Sequence, residues 1–248
     1  MSGHSKWSTI KRQKGAADAK RGQLFTKLAR EITIATKSGL PDPDSNPRLR
    51  IAVDRARAAS MPKDNIERAI QRAAGLAGSD QYEELFYEGY GPGGTAIIIQ
   101  AQTDNRNRTV GEVRAVLTRA GGTLGENGSV GWMFDQMGIL EIPLSGADAD
   151  ELSLEAIDAG AADVEVEGDT VVVYTEPSEL HAVREAMVGA GREVAAAQLT
   201  MRPKTLVEPE TDAAIKVIRL VEKLEDLDDV QEVFTNVDIS DDVLAAAM

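Results

Sequence analysis

The 248-residue chain contains no cysteine, few aromatic residues and no long apolar run. Without cysteine the chain can have no disulfide framework, no cysteine-ligated zinc and no thiol nucleophile, which is consistent with a reducing compartment. No stretch approaches 18 consecutive apolar residues and the N-terminus has no apolar signal core, so we expect neither a membrane span nor secretion. Aromatic residues make up 4% of a chain that is 42% hydrophobic, so the cores should consist of Ala, Val, Leu and Ile. We therefore expect a cytoplasmic protein of two or three domains.

Charge is strongly segregated along the sequence, although the whole chain has a net charge of −14. Residues 1–75 hold 16 Lys and Arg against 7 Asp and Glu, a net of +9, whereas the remaining 173 residues have a net of −23. Surface charge that serves only solubility mixes both signs. The separation predicts a basic domain that binds a polyanion, attached to an acidic body that restricts the contact to one face.

The basic region is predicted to form three helices, over residues 18–37, 47–60 and 62–75. In the first helix the apolar residues recur at helical spacing and most cations lie on the opposite side. Asn46 is in the position of an N-terminal cap, and Pro47 follows it at the first helical position. The arm before these helices has four cations but little apolar surface, with Trp7 as its single aromatic residue, so it is not expected to fold alone.

The candidate nucleic-acid contacts lie on this arm, on the first helix and in a later loop. Cations there would displace counterions from phosphates and give affinity with little sequence discrimination, although any single surface cation is most often merely solvated. Trp7 could either stack on a base or pack against the helices, and Arg106 and Arg108 could bond either loop carbonyls or phosphates. The candidates are Lys6, Trp7, Lys11, Arg12, Lys14, Lys20, Arg21, Lys27, Arg30, Arg106 and Arg108.

Residues 76–91 are expected to form a linker that carries a cluster of aromatic side chains. Three glutamates lie among these aromatics and would repel phosphate. We therefore expect the cluster to cover the seam between domains, with a base-stacking platform as the alternative. Its members are Tyr82, Phe86, Tyr87 and Tyr90.

The acidic body is predicted to hold two α+β sandwiches, one inside the other. A strand over 95–103, a helix from Thr109 to residue 120 and paired strands over 128–135 and 139–142, turning near Met137-Gly138, begin the first sandwich. Its missing helix and strand come only at 213–224 and 230–239. Between them, residues 152–201 read as helix, hairpin, helix and strand, with Gly168-Asp169 as the hairpin turn.

The fold class is therefore α+β, with an N-terminal three-helix domain followed by two ferredoxin-like α/β sandwich domains, the last inserted into the middle one. The predicted domains are residues 1–78, residues 79–143 plus 205–248, and residues 144–204.

The sequence offers little for catalysis. His4 and His181 lie in no ligand-spaced motif, no serine sits in a nucleophile elbow, and paired carboxylates such as Glu225-Asp226 are typical of a solvated acidic face. We expect no enzyme, no cofactor and no metal site. The alternative from another functional class is a metal-dependent hydrolase. Any turnover that depends on a divalent metal would favour this alternative.

Several motifs in order along the chain resemble the YebC/PmpR family. The resemblance implies a three-domain cytoplasmic transcriptional regulator that binds DNA. Because relatives include a mitochondrial translational activator of cytochrome oxidase, it also implies an alternative, a ribosome-associated translation factor that binds ribosomal RNA. Neither reading involves a membrane, and both leave open a protein partner on the acidic domains. The motifs are Gly3-His4-Ser5-Lys6-Trp7, Asp18-Ala19-Lys20-Arg21 through Phe25, Met61-Pro62-Lys63-Asp64-Asn65-Ile66, Tyr87-Glu88-Gly89-Tyr90-Gly91-Pro92-Gly93-Gly94, Thr103-Asp104-Asn105-Arg106-Asn107-Arg108-Thr109 and Asp228-Asp229-Val230-Gln231.

The sequence departs from this family pattern at Gln136-Met137, where a basic residue is expected. A nucleic-acid contact at this turn is therefore not carried over to this chain.

Overall fold

A computed structural model describes residues 18–75, 82–239 and 243. Helices at the N-terminus are followed by two four-stranded antiparallel sheets, each with helices on one face. The α+β class, the helical domain and two sandwiches, one inserted into the other, are thus confirmed. The helices are α1 (Asp18–Lys37), α2 (Pro47–Ala58), α3 (Lys63–Ala74), α4 (Arg106–Arg119), α5 (Ala149–Asp158), α6 (Leu180–Gly189) and α7 (Thr211–Glu225). The strands are β1 (Glu83–Tyr90), β2 (Ala96–Thr103), β3 (Thr123–Leu124), β4 (Phe134–Pro143), β5 (Asp163–Glu167), β6 (Thr170–Thr175), β7 (Ala196–Pro203) and β8 (Val230–Thr235).

The three helices of the basic domain pack around a small aliphatic core that includes Ile32, Leu49 and Val53. Asn46 fixes the turn between α1 and α2. Its side-chain oxygen accepts the Leu49 amide at 3.1 Å, and its amide group donates to the carbonyls of Ala35 in α1 and Leu40 in the turn, at 2.9 Å each. The predicted cap is confirmed, and because Asn46 is buried it also joins the end of α1 to the start of α2.

The first sheet has the strand order β3-β1-β2-β8. The expected linker is wrong over residues 83–90, because Glu83–Tyr90 forms strand β1 and pairs with β2 along all eight residues, while residues 76–81 lie outside the described residues. The alternation of a strand explains the mixed composition of this segment. Tyr87 points into the aliphatic core under α4 and α7, whereas Glu84, Phe86, Glu88 and Tyr90 belong to the opposite face.

Helix α4 begins earlier than expected, and its cap is Asn105 rather than Thr109. The Asn105 side chain accepts the Arg108 amide at 3.1 Å. Thr109 is instead buried inside the first turn, and its hydroxyl donates to the Asp229 carboxylate. Asn is among the preferred N-cap residues, and Asn105 accepts the amide three positions later. The Thr109 hydroxyl is therefore not needed as a cap and makes a tertiary contact instead.

The second sheet has the order β5-β6-β4-β7, and its chain order β4-α5-β5-β6-α6-β7 is the βαββαβ arrangement of a ferredoxin-like fold. Two predictions about residues 128–142 are corrected here. The chain makes no turn near Met137-Gly138, and residues 139–142 do not belong to the first sheet. Both follow from one continuous strand, β4, which pairs with β6 and β7.

Gly138 permits close packing in this strand instead of making a turn. A side chain at Gly138 would overlap the Thr175 hydroxyl and the Leu180 side chain, so α6 lies directly over it. The predicted hairpin at Gly168-Asp169 is confirmed by the pairing of β5 with β6.

The first sheet is completed by β1 and not by residues 134–143. Its chain order is β1-β2-α4-β3, then α7-β8 after the second sandwich. The expected boundary after residue 143 therefore does not follow the sheets, because residues 134–143 pair within the second one. The other domain boundaries stay a prediction.

Across the parts of the chain that the structure describes, no helix is both long and apolar enough to cross a membrane.

Candidate nucleic-acid interface

The predicted contact residues fall into separate groups in the structure. Lys6, Trp7, Lys11, Arg12 and Lys14 lie outside the described residues. Lys20 lies in the first turn of α1, and its side chain is also outside the description. Arg21 is exposed on α1.

Two candidates on α1 point toward the turn between α7 and β8 instead of outward. Lys27 donates from Nζ to the Glu225 carbonyl at 2.5 Å. Arg30 donates from Nη1 to the Asp228 carbonyl at 2.7 Å and to Asp229 Oδ1 at 3.0 Å. Both side chains therefore join the basic domain to the first sandwich.

Asp229 is the centre of a charged network that sequence reasoning did not identify as a site. Its side chain is 2% exposed and accepts hydrogen bonds from two arginines and two threonine hydroxyls. Arg108 contributes two of these, from Nε at 3.2 Å and from Nη2 at 2.7 Å. The donors are Arg30, Arg108, Thr103 and Thr109.

This environment favours the ionised form of Asp229. Burial acts to raise its pKa, but the hydrogen bonds from Arg108, Thr109 and Thr103 and the charge of Arg108 outweigh burial, so the pKa lies below its ordinary value. Arg108 also pairs with Asp104 at 2.7 Å, and its pKa is raised chiefly by its hydrogen bonds to Asp229 and Asp104. The remaining candidate, Arg106, pairs with Glu83 of β1. Arg106 and Arg108 thus bond to carboxylates of the chain, where the sequence suggested loop carbonyls.

Helix α2 adds two more arginine contacts to the same sandwich. Arg48 donates from Nη2 to both oxygens of Glu84 at 2.8 Å. Arg55 lies between Glu31 at 3.0 Å and Glu232 of β8 at 2.7 Å. Burial acts to lower the pKa of Arg55, but the two carboxylates raise it overall. Burial raises the pKa of Glu232, and the nearby Glu31 charge adds to that effect.

The second sandwich also contacts the basic domain, through α6. Arg50 Nη1 lies 2.5 Å from His181 Nε2, and Arg184 Nη2 lies 3.5 Å from Asp54. Arg50 in addition donates to the Pro43 and Asp44 carbonyls, which orders the loop before α2. Cations of the basic domain thus bind both parts of the acidic body.

The cations of the basic domain therefore divide into two sets, which we call docked and exposed. The docked set makes contacts across the domain interface. The exposed set faces outward on α1, α2 and α3, and Arg57 and Lys63 in it have side chains that are 69% and 84% exposed. The docked set is Lys27, Arg30, Arg48, Arg50 and Arg55, and the exposed set is Arg21, Arg57, Lys63 and Arg68.

The sequence contains a signal for the Asp229 network, but only in retrospect. Thr103, Arg108 and Thr109 fall in one of the motifs that carry the family resemblance, and Asp229 falls in another. Nothing in their spacing indicates that segments about 120 residues apart meet at one carboxylate.

In the described ranges, no cluster of three or more His, Cys, Asp or Glu side chains could hold a metal ion.

The fold and its contacts define a three-part protein in which a basic helical domain is docked through its own arginines onto two acidic α/β sandwiches. The chain belongs to the TACO1/YebC family. Residues 5–76 match the family's N-terminal domain and residues 82–237 match its second and third domains.

Relatives at high identity span nearly the whole chain. A probable transcriptional regulatory protein of Roseiflexus castenholzii is 57% identical over 248 residues, covering 98% of this chain and 97% of its own. One from Geobacter sp. is 51% identical with full coverage of both chains. The crystal structure of a conserved hypothetical protein from Aquifex aeolicus, 46% identical, superposes with a TM-score of 0.83 over 90% of this chain and 93% of its own.

Proposed function

We propose that this protein is a cytoplasmic regulatory protein that binds nucleic acid through the exposed cations of its helical domain and the arm before it. The proposal rests on the division of the cations into two sets. The docked set contacts the acidic sandwiches, whereas the exposed set faces outward and is available to bind phosphates. Relatives of this protein are named probable transcriptional regulatory proteins, which supports a regulatory role.

The proposed contact surface combines Arg21, Arg57, Lys63 and Arg68 with Lys20 and the arm. Such cations release counterions from phosphates and provide affinity without reading bases. Residues 76–248 have a net charge of −23, so the sandwiches repel the polyanion and leave one face for it. Of the remaining arm candidates, Trp7 is proposed to stack on a base and the four cations to contact phosphates.

The docked candidates have a different role in this proposal. Lys27, Arg30, Arg106 and Arg108 already bond to partners within the chain. Withdrawing Arg30 or Arg108 to reach a phosphate would remove one of the two cations bound to the buried Asp229 carboxylate, an interaction whose complete loss costs about 3–5 kcal/mol. We therefore assign these four to domain docking, and they affect binding only by positioning the exposed set.

The second candidate is a translation factor that binds ribosomal RNA. It rests on the family's mitochondrial translational activator and on the type of contact, because phosphate-binding cations accept DNA and RNA alike. Neither candidate assigns a reaction to the protein.

Titration with labelled nucleic acid tests the proposed surface. The double variant Lys63→Ala/Arg68→Ala should bind both a DNA duplex and an RNA stem-loop more weakly than the wild type. The matched control is Lys216→Ala/Arg219→Ala, which removes two exposed cations from α7 on the acidic body and should bind like the wild type. Equal loss in both variants would show that only net charge matters and would contradict the assignment of the face.

Crosslinking in cells separates the two candidates. Reads from promoter DNA and from ribosomal RNA are counted for the wild type and for Lys63→Ala/Arg68→Ala. Enrichment of promoter reads that the double variant loses supports the transcriptional role, and the same pattern in ribosomal reads supports the translational one.

A further inference from the structure

The face of the first sheet opposite α4 and α7 carries an exposed aromatic surface formed by Phe86, Tyr90 and Trp132. Phe86 and Tyr90 lie on the same face of β1, on either side of Glu88. All three side chains are exposed, and Trp132 is exposed to 69%. Aromatic residues are scarce in this chain, so an exposed group of three on one face requires an explanation.

The loop that presents Trp132 is held by one carboxylate. Glu88 accepts the backbone amides of Gly128, Val130 and Gly131 at 2.7, 2.7 and 2.6 Å. Burial acts to raise the pKa of Glu88, but these three hydrogen bonds lower it below its ordinary value. The loop therefore stays anchored by a fixed anion at neutral pH.

The polar atoms of the two largest exposed rings are satisfied within the chain. The Tyr90 hydroxyl and Trp132 Nε1 both donate to the Ser129 carbonyl, at 3.0 and 3.1 Å. The shared acceptor holds the two side chains near each other while both stay exposed. A side chain ordered before binding loses little entropy when a partner covers it.

Two exposed carboxylates lie within a few residues of Trp132 along the chain. Glu126 is exposed in the same loop and makes no side-chain hydrogen bond within the described residues. Asp135 follows on β4 and is also exposed, with Lys204 as its partner at 3.1 Å. An aromatic surface edged by carboxylates repels phosphate and attracts a guanidinium, which stacks on an indole face while its edge bonds to carboxylates.

We propose that Phe86, Tyr90 and Trp132 form a docking surface for an arginine-containing segment of a basic protein, with one guanidinium stacked on Trp132 and paired with Glu126. None of the exposed cations of the helical domain belongs to this surface, so a nucleic acid and a basic protein would contact different residues. The inference does not depend on the proposed nucleic-acid function.

Tryptophan fluorescence reports on this surface directly. The chain has two tryptophans, so Trp7→Phe leaves Trp132 as the one indole of the full-length protein. An arginine-rich peptide should change the Trp132 emission at lower concentration than a lysine peptide of equal length and charge, because guanidinium stacks better on an aromatic face. Quenching by single-stranded oligo(dT) with no response to the arginine peptide would overturn the proposal in favour of a base-stacking platform, and no response to either would refute it.

Two variants extend the test through the anisotropy of a labelled arginine peptide. Trp132→Leu keeps an apolar side chain but removes the ring, and should weaken binding roughly two- to fivefold, the scale of one exposed cation–π contact. Trp132→Phe should restore part of the loss. The matched control is Leu154→Ala, which removes an exposed apolar residue of α5 and should leave binding unchanged. Equal binding by the wild type and Trp132→Leu would overturn the proposal.

Discussion

Replacing Asp229 by Asn tests whether the charged network at the domain interface holds the fold together. Asn has nearly the same volume, so it opens no cavity, but it removes the negative charge that faces Arg30 and Arg108. Its amide group would also point a donor at side chains that already donate. The arginine charges would then lie at the interface without a carboxylate.

The expected loss of unfolding free energy in Asp229→Asn follows from the burial of this carboxylate. Removing one partner of a buried ion pair costs about 3–5 kcal/mol. The Arg108 side chain is 41% exposed, so water replaces part of its lost interaction, and we expect about 2–4 kcal/mol. For a chain of this size that corresponds to a lower melting temperature by roughly 5–15 °C.

Calorimetry and urea unfolding measure this change, with Asp228→Asn as the matched control. Asp228 is the neighbouring residue, it is exposed, and its carboxylate accepts a hydrogen bond from Gln23 at 3.3 Å. A surface change of this kind is expected to stay within about 0.5 kcal/mol. If Asp229→Asn destabilises no more than Asp228→Asn, the network does not stabilise the docked arrangement.

The pH dependence gives an independent check on Asp229. Its folded-state pKa lies below its ordinary value, so folding favours the ionised form. The resulting stabilisation is complete above the ordinary pKa of about 4 and is lost as the pH falls through the folded-state pKa. The stability difference between the wild type and Asp229→Asn should therefore be constant near neutral pH and shrink in acid, and a constant difference down to strongly acidic pH would contradict this.

Three further changes test other parts of the structure. Arg55→Ala leaves Glu31 and Glu232 facing each other without a cation and should cost about 2–4 kcal/mol of unfolding free energy, against little for Arg57→Ala on the same helix; equal urea midpoints would contradict this. Glu88→Gln puts an amide donor against three backbone donors and should cost about 1–3 kcal/mol. In the Trp7→Phe background it should also lower the anisotropy of Trp132, and an unchanged anisotropy would show that Glu88 does not order the loop. Gly138→Ala should cost about 1–3 kcal/mol by overpacking β4 against α6, and a stability equal to the wild type would show that the packing relaxes freely.

The helices of the basic domain could be predicted because their cues are local. Asp18–Lys37 has the bounds that its periodicity predicts, and Asn46 caps the next helix as its neighbours suggest. Strand β1 could not be recognised in the same way. Glu84 and Glu88 look like loop residues until the structure supplies their partners, an arginine from another domain and three loop amides.

The sequence alone also could not show which cations dock the domains together and which face outward. Lys27 and Arg30 lie on the polar side of an amphipathic helix, as a surface that binds phosphate would. Their partners lie about 200 residues away, in the turn between α7 and β8. Segregated charge indicates that a basic surface meets an acidic one, but the acidic one can be the protein's own body as well as a nucleic acid. Strand β4 was missed because Gly138 looks like a turn residue unless the helix packed over it is known.

The salt dependence of nucleic-acid binding tests the division between docked and exposed cations most directly. Two variants of equal charge are compared with the wild type: Lys63→Ala/Arg68→Ala from the exposed set, and Lys27→Ala/Arg48→Ala from the docked set. The exposed pair should flatten the log–log salt slope by roughly 0.7–0.9 for each lost phosphate contact. The docked pair should leave the slope unchanged and lower the melting temperature. A flatter slope for the docked pair with an unchanged slope for the exposed pair would contradict the account.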